Sequence, residues 1–247
     1  MIRPVAAVAA LVALGGCATG DDDTAADAAR RRADQARQVA RDAGLSPAVQ
    51  AVLADAAGAV DETYTVVYRL GGEGVGRSVV VQDPPRRRIE LEVATGDLTV
   101  TRVFIVNDDG TFGCTRATDR WQCQRNADAP AELGPLALGD VQQATQDLLD
   151  ARDDYAFTVE RRQIAGVAAR CLVTALKPGR QPDPQRGERA VLCVSPEGVP
   201  LRVEASTGAL TATSYRRSAA AEAFRLPAPP RDPATTTSTT STTTSAR

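Results

Sequence analysis

The chain has 247 residues, enough for one domain of ordinary size or two very small ones, and a formal net charge of −2. This charge balance does not indicate a nucleic-acid-binding protein, which carries a concentrated basic surface. The sequence contains no histidine. Ser-His-Asp and Cys-His nucleophiles are therefore excluded, and the commonest zinc ligand is missing. We expect no enzyme activity, no metal and no other cofactor.

The first sixteen residues are typical of an export signal. They contain one charge, Arg3, and an apolar run too short to span a bilayer, which takes about 20 apolar residues. The stretch "LGGC" at 14–17 resembles the bacterial lipobox, and by that resemblance Cys17 becomes the lipid-modified first residue of the mature chain. Two acyl chains on Cys17 would anchor it stably to the extracytoplasmic face of the cell membrane. An ordinary secretory signal with a chance cysteine is the alternative.

Residues 17–45 are rich in aspartate and arginine and hold almost no large apolar side chain. Such a segment cannot bury enough surface to fold by itself, so it predicts a solvated tether with at most transient helix. The folded domain is expected over 46–227. It should open with a helix that runs through Val60, with Ser46 as N-cap and Pro47 at the first helical position.

From Tyr64 the hydrophobic period changes to two, which predicts the half-buried strands of an antiparallel sheet. One amphipathic helix, roughly Asp140 to Arg152, interrupts the strands, which resume at Tyr155. Residues 228–247 begin with the Pro-rich stretch "APP" and end in a Thr/Ser-rich run with no apolar anchor, so they predict a disordered tail. Glycosylation of this tail is an open alternative.

Four cysteines remain besides Cys17, and an even set in an exported chain predicts two disulfides. Three pairings are possible. We favour Cys114 with Cys123 and Cys171 with Cys193, because each pair falls on neighbouring predicted strands.

The strand "VTRVFIV" at 100–106 is apolar on both faces, whereas a sheet with one wet face alternates cleanly. Something must cover both sides of this strand. The cover is either a helix and a loop of the protein, or a helix on one side and a bound apolar molecule on the other. In the second case the candidate lining residues of the cavity are Tyr64, Val66, Tyr68, Phe104, Trp121 and Leu148.

The order of elements, closed by "VLCVSPEGVPLRVEASTGALTATSYRR", resembles the LolA-like superfamily, and within it the actinobacterial lipoproteins of the LppX and LprG type. The resemblance covers roughly Ser46 to Pro227 and implies an α+β fold, in which a strongly curved, unclosed antiparallel sheet carries helices on its concave face. It also implies a membrane-anchored lipoprotein of the cell envelope that binds or carries a lipid-like ligand. The alternative is an interaction or sensor module that recognises another envelope protein. We expect a monomer that binds no nucleic acid.

Overall fold

The computed structural model describes residues 25–71, 75–96, 98–125, 150, 152–182, 187–206 and 208–231. Two helices come first, α1 (Ala25–Asp42) and α2 (Pro47–Gly58), and a 3-10 turn (Ala59–Asp61) follows. In the described part of the chain no helix is long and apolar enough to cross a membrane. The strands are β1 (Tyr64–Gly71), β2 (Val75–Asp83), β3 (Arg86–Thr95), β4 (Leu98–Asn107), β5 (Gly110–Arg116), β6 (Trp121–Arg125), β7 (Tyr155–Ile164), β8 (Val167–Leu176), β9 (Arg189–Val194), β10 (Pro200–Ala205), β11 (Gly208–Arg216) and β12 (Pro230–Arg231).

The strands form one sheet in the order β12-β6-β5-β4-β3-β2-β1-β11-β10-β9-β8-β7. It consists of two antiparallel meanders, β1 to β6 and β7 to β11, joined by the pairing of β1 with β11. Only the two-residue strand β12 pairs in parallel, with β6. β7 and β11 approach each other although three strands lie between them in the sheet, so this half of the sheet is strongly curled. The predicted α+β class with a large, unclosed and mostly antiparallel sheet is confirmed.

Helix α2 begins where the sequence predicts. Ser46 is the N-cap, its Oγ accepts from the backbone N–H of Val49 at 3.5 Å, and Pro47 takes the first position. The helix ends at Gly58, before the predicted Val60. In the 3-10 turn that follows α2, the Nε2 of Gln82 donates to the carbonyl of Val60 at 2.7 Å and so ties this turn to β2.

Helix α1 differs from the predicted tether. Over Ala25–Asp42 the segment is helical, and it packs on α2 and on the 3-10 turn. Alanine has the highest helix propensity, and Ala33 and Ala40 lie on the covered face at helical spacing. Ala40 is fully buried, and Arg32 pairs with Asp61 across the interface. Small side chains thus allow a close helix pair although they supply little hydrophobic surface.

The buried side chains form three apolar clusters. The main cluster joins β1, β2 and β3 with β8 to β11 and includes Tyr64, Val66, Tyr68, Val80, Ile89, Cys171, Cys193 and Leu201. The helix cluster lies between the helices and β8 and β9 and consists of Ala40, Val49, Val52, Leu53, Ala56, Leu172 and Val194. The C-terminal cluster consists of Val103, Ile105, Cys114 and Cys123, with Trp121, Leu226 and Ala228 packed against it.

Alternation along β8 shows where the helices lie. Cys171 and Val173 belong to the main cluster, whereas Leu172 between them belongs to the helix cluster. Successive side chains of a strand point to opposite faces. The helices therefore cover the face of β8 that is turned away from the main cluster. The predicted packing of helices on the concave face of the sheet stays a prediction.

The C-terminal boundary also differs slightly. The sequence predicts that the fold ends at Pro227, whereas Pro230 and Arg231 form β12 beside β6. The lipidation site Cys17, the greater part of the predicted helix from Asp140 and the Thr/Ser-rich tail lie outside the described residues.

Candidate functional site: a buried tyrosine cluster and an open groove

Both predicted disulfides are present. Cys114 pairs directly with Cys123 across β5 and β6, with a Cα–Cα distance of 4.0 Å. Cys171 pairs directly with Cys193 across β8 and β9, at 3.8 Å. All four side chains are buried, so each bridge is part of an apolar cluster.

Four of the six predicted cavity residues share one cluster, whereas Trp121 lies in another. Tyr64, Val66 and Tyr68 lie in the main cluster, exposed by only 1%, 0% and 2%. Phe104 is partly buried against the same cluster. Trp121 belongs to the separate C-terminal cluster, where the Arg116 guanidinium lies 5.0 Å from its ring. Leu148 lies outside the described residues.

The tyrosine hydroxyls in the main cluster have protein partners. The Tyr68 hydroxyl donates to the carbonyl of Pro200 at 2.6 Å, and the Tyr64 hydroxyl lies 3.4 Å from the Oε1 of Gln82. Burial raises the pKa of both phenols well above the ordinary value near 10. Both side chains are thus neutral core residues that tie β1 to β2 and to β10.

Arg87 lies beside these tyrosines because of strand register. Tyr64 pairs with Gln82 across β1 and β2, and Gln82 pairs with Arg87 across β2 and β3. Burial lowers the pKa of Arg87, and the neighbouring Tyr64 and Tyr68 act in the opposite direction. Sequence reasoning missed this residue. Arg87 is a polar residue on the core-facing side of β3, and only the strand register shows that it lies beside the tyrosines.

The doubly apolar strand β4 is covered by the protein on both faces. Val103 and Ile105 face the C-terminal cluster, which residues 226 and 228 help to cover. Phe104 faces the main cluster. Strand β4 is thus the place where two clusters meet, and its pattern does not require a bound apolar molecule.

An open groove of about 440 Å³ lies elsewhere, between the α1–α2 turn and β7. Its apolar wall includes Leu45, Val49 and Phe157, which border the helix cluster. Arg152, Asp153 and Lys177 lie at its polar side, where the Lys177 Nζ donates to the carbonyls of Arg152 and Asp153 at 3.1 and 3.0 Å. Sequence reasoning missed the groove because it joins segments about a hundred residues apart.

In the described part of the chain, no three His, Cys, Asp or Glu side chains form a group that could hold a metal ion. The groove offers charged and apolar surface side by side.

The geometry defines an α+β domain with an open antiparallel sheet and two cross-strand disulfides. No family model and no curated protein matches the chain. Among solved structures it is similar to MucB in the crystal structure of MucB in complex with MucA(peri), with 15% identity and a TM-score of 0.36 over 71% of this chain and 58% of that chain. The chain thus spans less than two thirds of that MucB chain. It is also similar to a DUF1329 family protein from Desulfovibrio piger, with 12% identity and a TM-score of 0.23 over 73% of this chain and 72% of that chain. At these scores neither match assigns a family or a function.

Proposed function

We propose that this chain is an exported, lipid-anchored protein of the cell envelope whose folded domain binds a lipid-like amphiphile without catalysing a reaction. The resemblance of residues 1–17 to an export signal with a lipobox supports the location. The two disulfides also support it, because disulfides persist in oxidising compartments outside the cytoplasm. The groove between the α1–α2 turn and β7 supports the binding and is the single observation that carries the proposal.

The chemistry of the groove fits an amphiphile with an anionic group. Leu45, Val49 and Phe157 offer apolar contact to a hydrocarbon chain, and Arg152 and Lys177 place positive charge beside it. Asp153 lies on the same side and would repel the anionic group of such a ligand. Small-molecule sites are lined mainly by apolar side chains, whereas the accessible lining of this groove is more polar than apolar, so its apolar contact with a ligand is limited.

The size of the groove limits the ligand. Small-molecule sites measure about 300 to 1,000 Å³, and this one lies in the lower part of that range, at about 440 Å³. We propose that it holds one chain or one small amphiphile. Tyr64, Val66 and Tyr68 are fully buried by the protein's own side chains, which supports a ligand in the groove over a ligand in the main cluster.

Binding of a fluorescent long-chain fatty acid to the full chain carrying Cys17→Ala tests the proposal. Ala43 lines the groove, so Ala43→Trp should fill it and weaken binding about tenfold, or about 1.4 kcal/mol. Ala168→Trp places the same side chain at an exposed position on β8 and should leave affinity unchanged. Equal affinity in both variants, or no binding by the parent chain, would contradict the proposal. Membrane fractionation of the otherwise native chain tests the anchor, since Cys17→Ala should release it.

A filled scaffold that recognises another envelope protein is the second candidate. The observation that favours it is the main cluster, which its own side chains pack without a ligand. Lipid extraction of the protein purified from its membrane distinguishes the two candidates. A folded protein that carries no amphiphile and binds no fatty acid would favour the scaffold.

A further inference from the structure

Helices α1 and α2 are attached to the rest of the protein in different ways. Asp55 of α2 pairs with Arg170 of β8, and the β9–β10 turn approaches the same residue closely at Gly198. Val52 and Leu53 of α2 belong to the helix cluster, which includes side chains of β8 and β9. Helix α1 instead packs on α2 and on the 3-10 turn. The sheet thus holds α2 directly and holds α1 mainly through α2.

The contact between the two helices consists of small residues. Ala33 of α1 lies opposite Gly58 of α2, where a Cβ built on the glycine would stand 4.0 Å from the Ala33 Cβ. Ala54, one turn before Gly58 on the same face of α2, is fully buried. In α1, Ala40 is the one fully buried side chain among those that the structure describes. Because hydrophobic stabilisation scales with the apolar area buried, these small side chains stabilise the docking of α1 only weakly.

The polar contacts of α1 lie both within the helix and across the interface. Asp34 pairs with Arg37 at 2.7 Å, an i,i+3 contact that supports the helix whether or not it is packed. Across the interface, Arg32 pairs with Asp61 of the 3-10 turn. The Arg32 side chain is 40% exposed, and an ion pair with this exposure contributes little to stability. Neither alanine packing nor this ion pair therefore holds α1 as firmly as the sheet holds α2.

We propose that α1 is a detachable strap, which undocks from α2 as one unit while α2 and the sheet stay folded. Openings of this kind occur in elements with few buried apolar contacts and take less free energy than global unfolding. An 18-residue helix is about 27 Å long, so release of α1 lengthens the link between the folded domain and the residues before Ala25. The undocking is independent of any ligand in the groove, whereas its use as an adjustable link to the membrane rests on the proposed anchor at Cys17.

Native-state hydrogen exchange of the full chain carrying Cys17→Ala tests the undocking. The backbone amides in the middle of α1 should exchange together, about tenfold or more faster than those of α2. Arg32→Gln removes the ion pair across the interface and should speed exchange in α1 by a further factor of about three, with α2 unchanged. Arg37→Gln is the matched control, since it removes the same charge from α1 but leaves the interface intact, and it should change exchange less.

A reversible lock gives a second test. Ala33→Cys with Gly58→Cys places two thiols on Cβ atoms about 4.0 Å apart, a separation that a disulfide spans. The oxidised lock should slow exchange in the middle of α1 to the rate of α2. Mild reduction, which spares the two buried native bridges, should restore the fast rate.

Two results would overturn the proposal. The first is equal exchange rates of α1 and α2 in the parent chain, because the two helices would then open only together. The second is fast exchange in α1 that the oxidised lock does not slow, because α1 would then lose its helical hydrogen bonds without leaving α2.

Discussion

Strands with two apolar faces lie near both ends of the strand order, and a different part of the chain covers them at each end. At the helix-covered end, β8 and β9 lie between the main cluster and the helices α1 and α2. At the tail-covered end, β4 lies between the main cluster and a short C-terminal segment that ends in β12. Each end also has one disulfide between neighbouring strands. A strand with two apolar faces therefore indicates a second cover, and here the chain itself supplies that cover.

The helices and the C-terminal segment differ in how completely their apolar side chains are buried. The helix cluster contains Val49, Val52 and Leu53, each exposed by 2% or less. In the C-terminal segment, Leu226 and Ala228 are only partly buried, and Phe224 is 4% exposed. Burial of apolar surface is the main stabilising contribution to folding. We therefore expect substitutions at the helix-covered end to destabilise the protein more.

The largest effect should follow Gly198→Ala at the helix-covered end. Gly198 has a φ of +83° in the β9–β10 turn, and a Cβ there would lie 1.7 Å from the backbone carbonyl oxygen of Asp55 in α2. The helix would have to move away from the sheet. We expect a loss of about 4 kcal/mol in the free energy of unfolding, measured by urea denaturation of the full chain.

Gly179→Ala is the matched control for this substitution. Gly179 has nearly the same φ, +80°, but a Cβ there would meet nothing within 4 Å. It should cost only the left-handed backbone penalty of about 1 to 2 kcal/mol. Equal losses in the two variants would show that backbone conformation, and not the close approach of α2, sets the cost.

Removal of the disulfides compares the two ends directly. Cys171 and Cys193 close a loop of 22 residues, and Cys114 and Cys123 close one of 9 residues. In the chain-entropy account the longer loop should contribute about 3.4 kcal/mol and the shorter about 2.6 kcal/mol. Paired Cys→Ala variants of each bridge, compared by urea denaturation, check this order. A larger loss for the short bridge would mean that the tail-covered end depends on its disulfide more than loop length predicts.

The parts predicted from sequence are those in which a local pattern determines the outcome. Ser46 and Pro47 predict the start of α2, because capping is a local interaction. The pairing of Cys171 with Cys193 follows from strand adjacency, which alternation and the intervening loop both indicate. The pattern of β4 correctly predicts two covers, but it does not say which segment of the chain provides them.

The parts that sequence reasoning missed depend on long-range geometry. Helix α1 is stabilised by close packing of small side chains such as Ala40, which contribute little to a hydrophobic pattern. Arg87 lies among tyrosines only through the register of β2 and β3. Val49 and Phe157 both line the groove, and no local sequence pattern predicts that these two residues lie close together.

A rise in pH tests whether the two ends of the sheet unfold together. Burial raises the pKa of Tyr64 and Tyr68 above the ordinary value near 10, so the folded state retains protons that the unfolded state releases above that pH. Stability should therefore be complete below pH 10 and fall as pH rises, by about 1.4 kcal/mol per pH unit for each tyrosine. Tyr64→Phe should remove one such contribution and lower the slope by about 1.4 kcal/mol per pH unit.

Two signals can follow that alkaline transition separately. Trp121 is the one tryptophan of the chain and lies at the tail-covered end, whereas far-ultraviolet circular dichroism includes the helices of the other end. Because both ends pack on the main cluster that contains Tyr64 and Tyr68, ionisation should unfold them at the same pH. Fluorescence that changes at a lower pH than the helical signal would show instead that the tail-covered end opens first, as its less complete burial would favour.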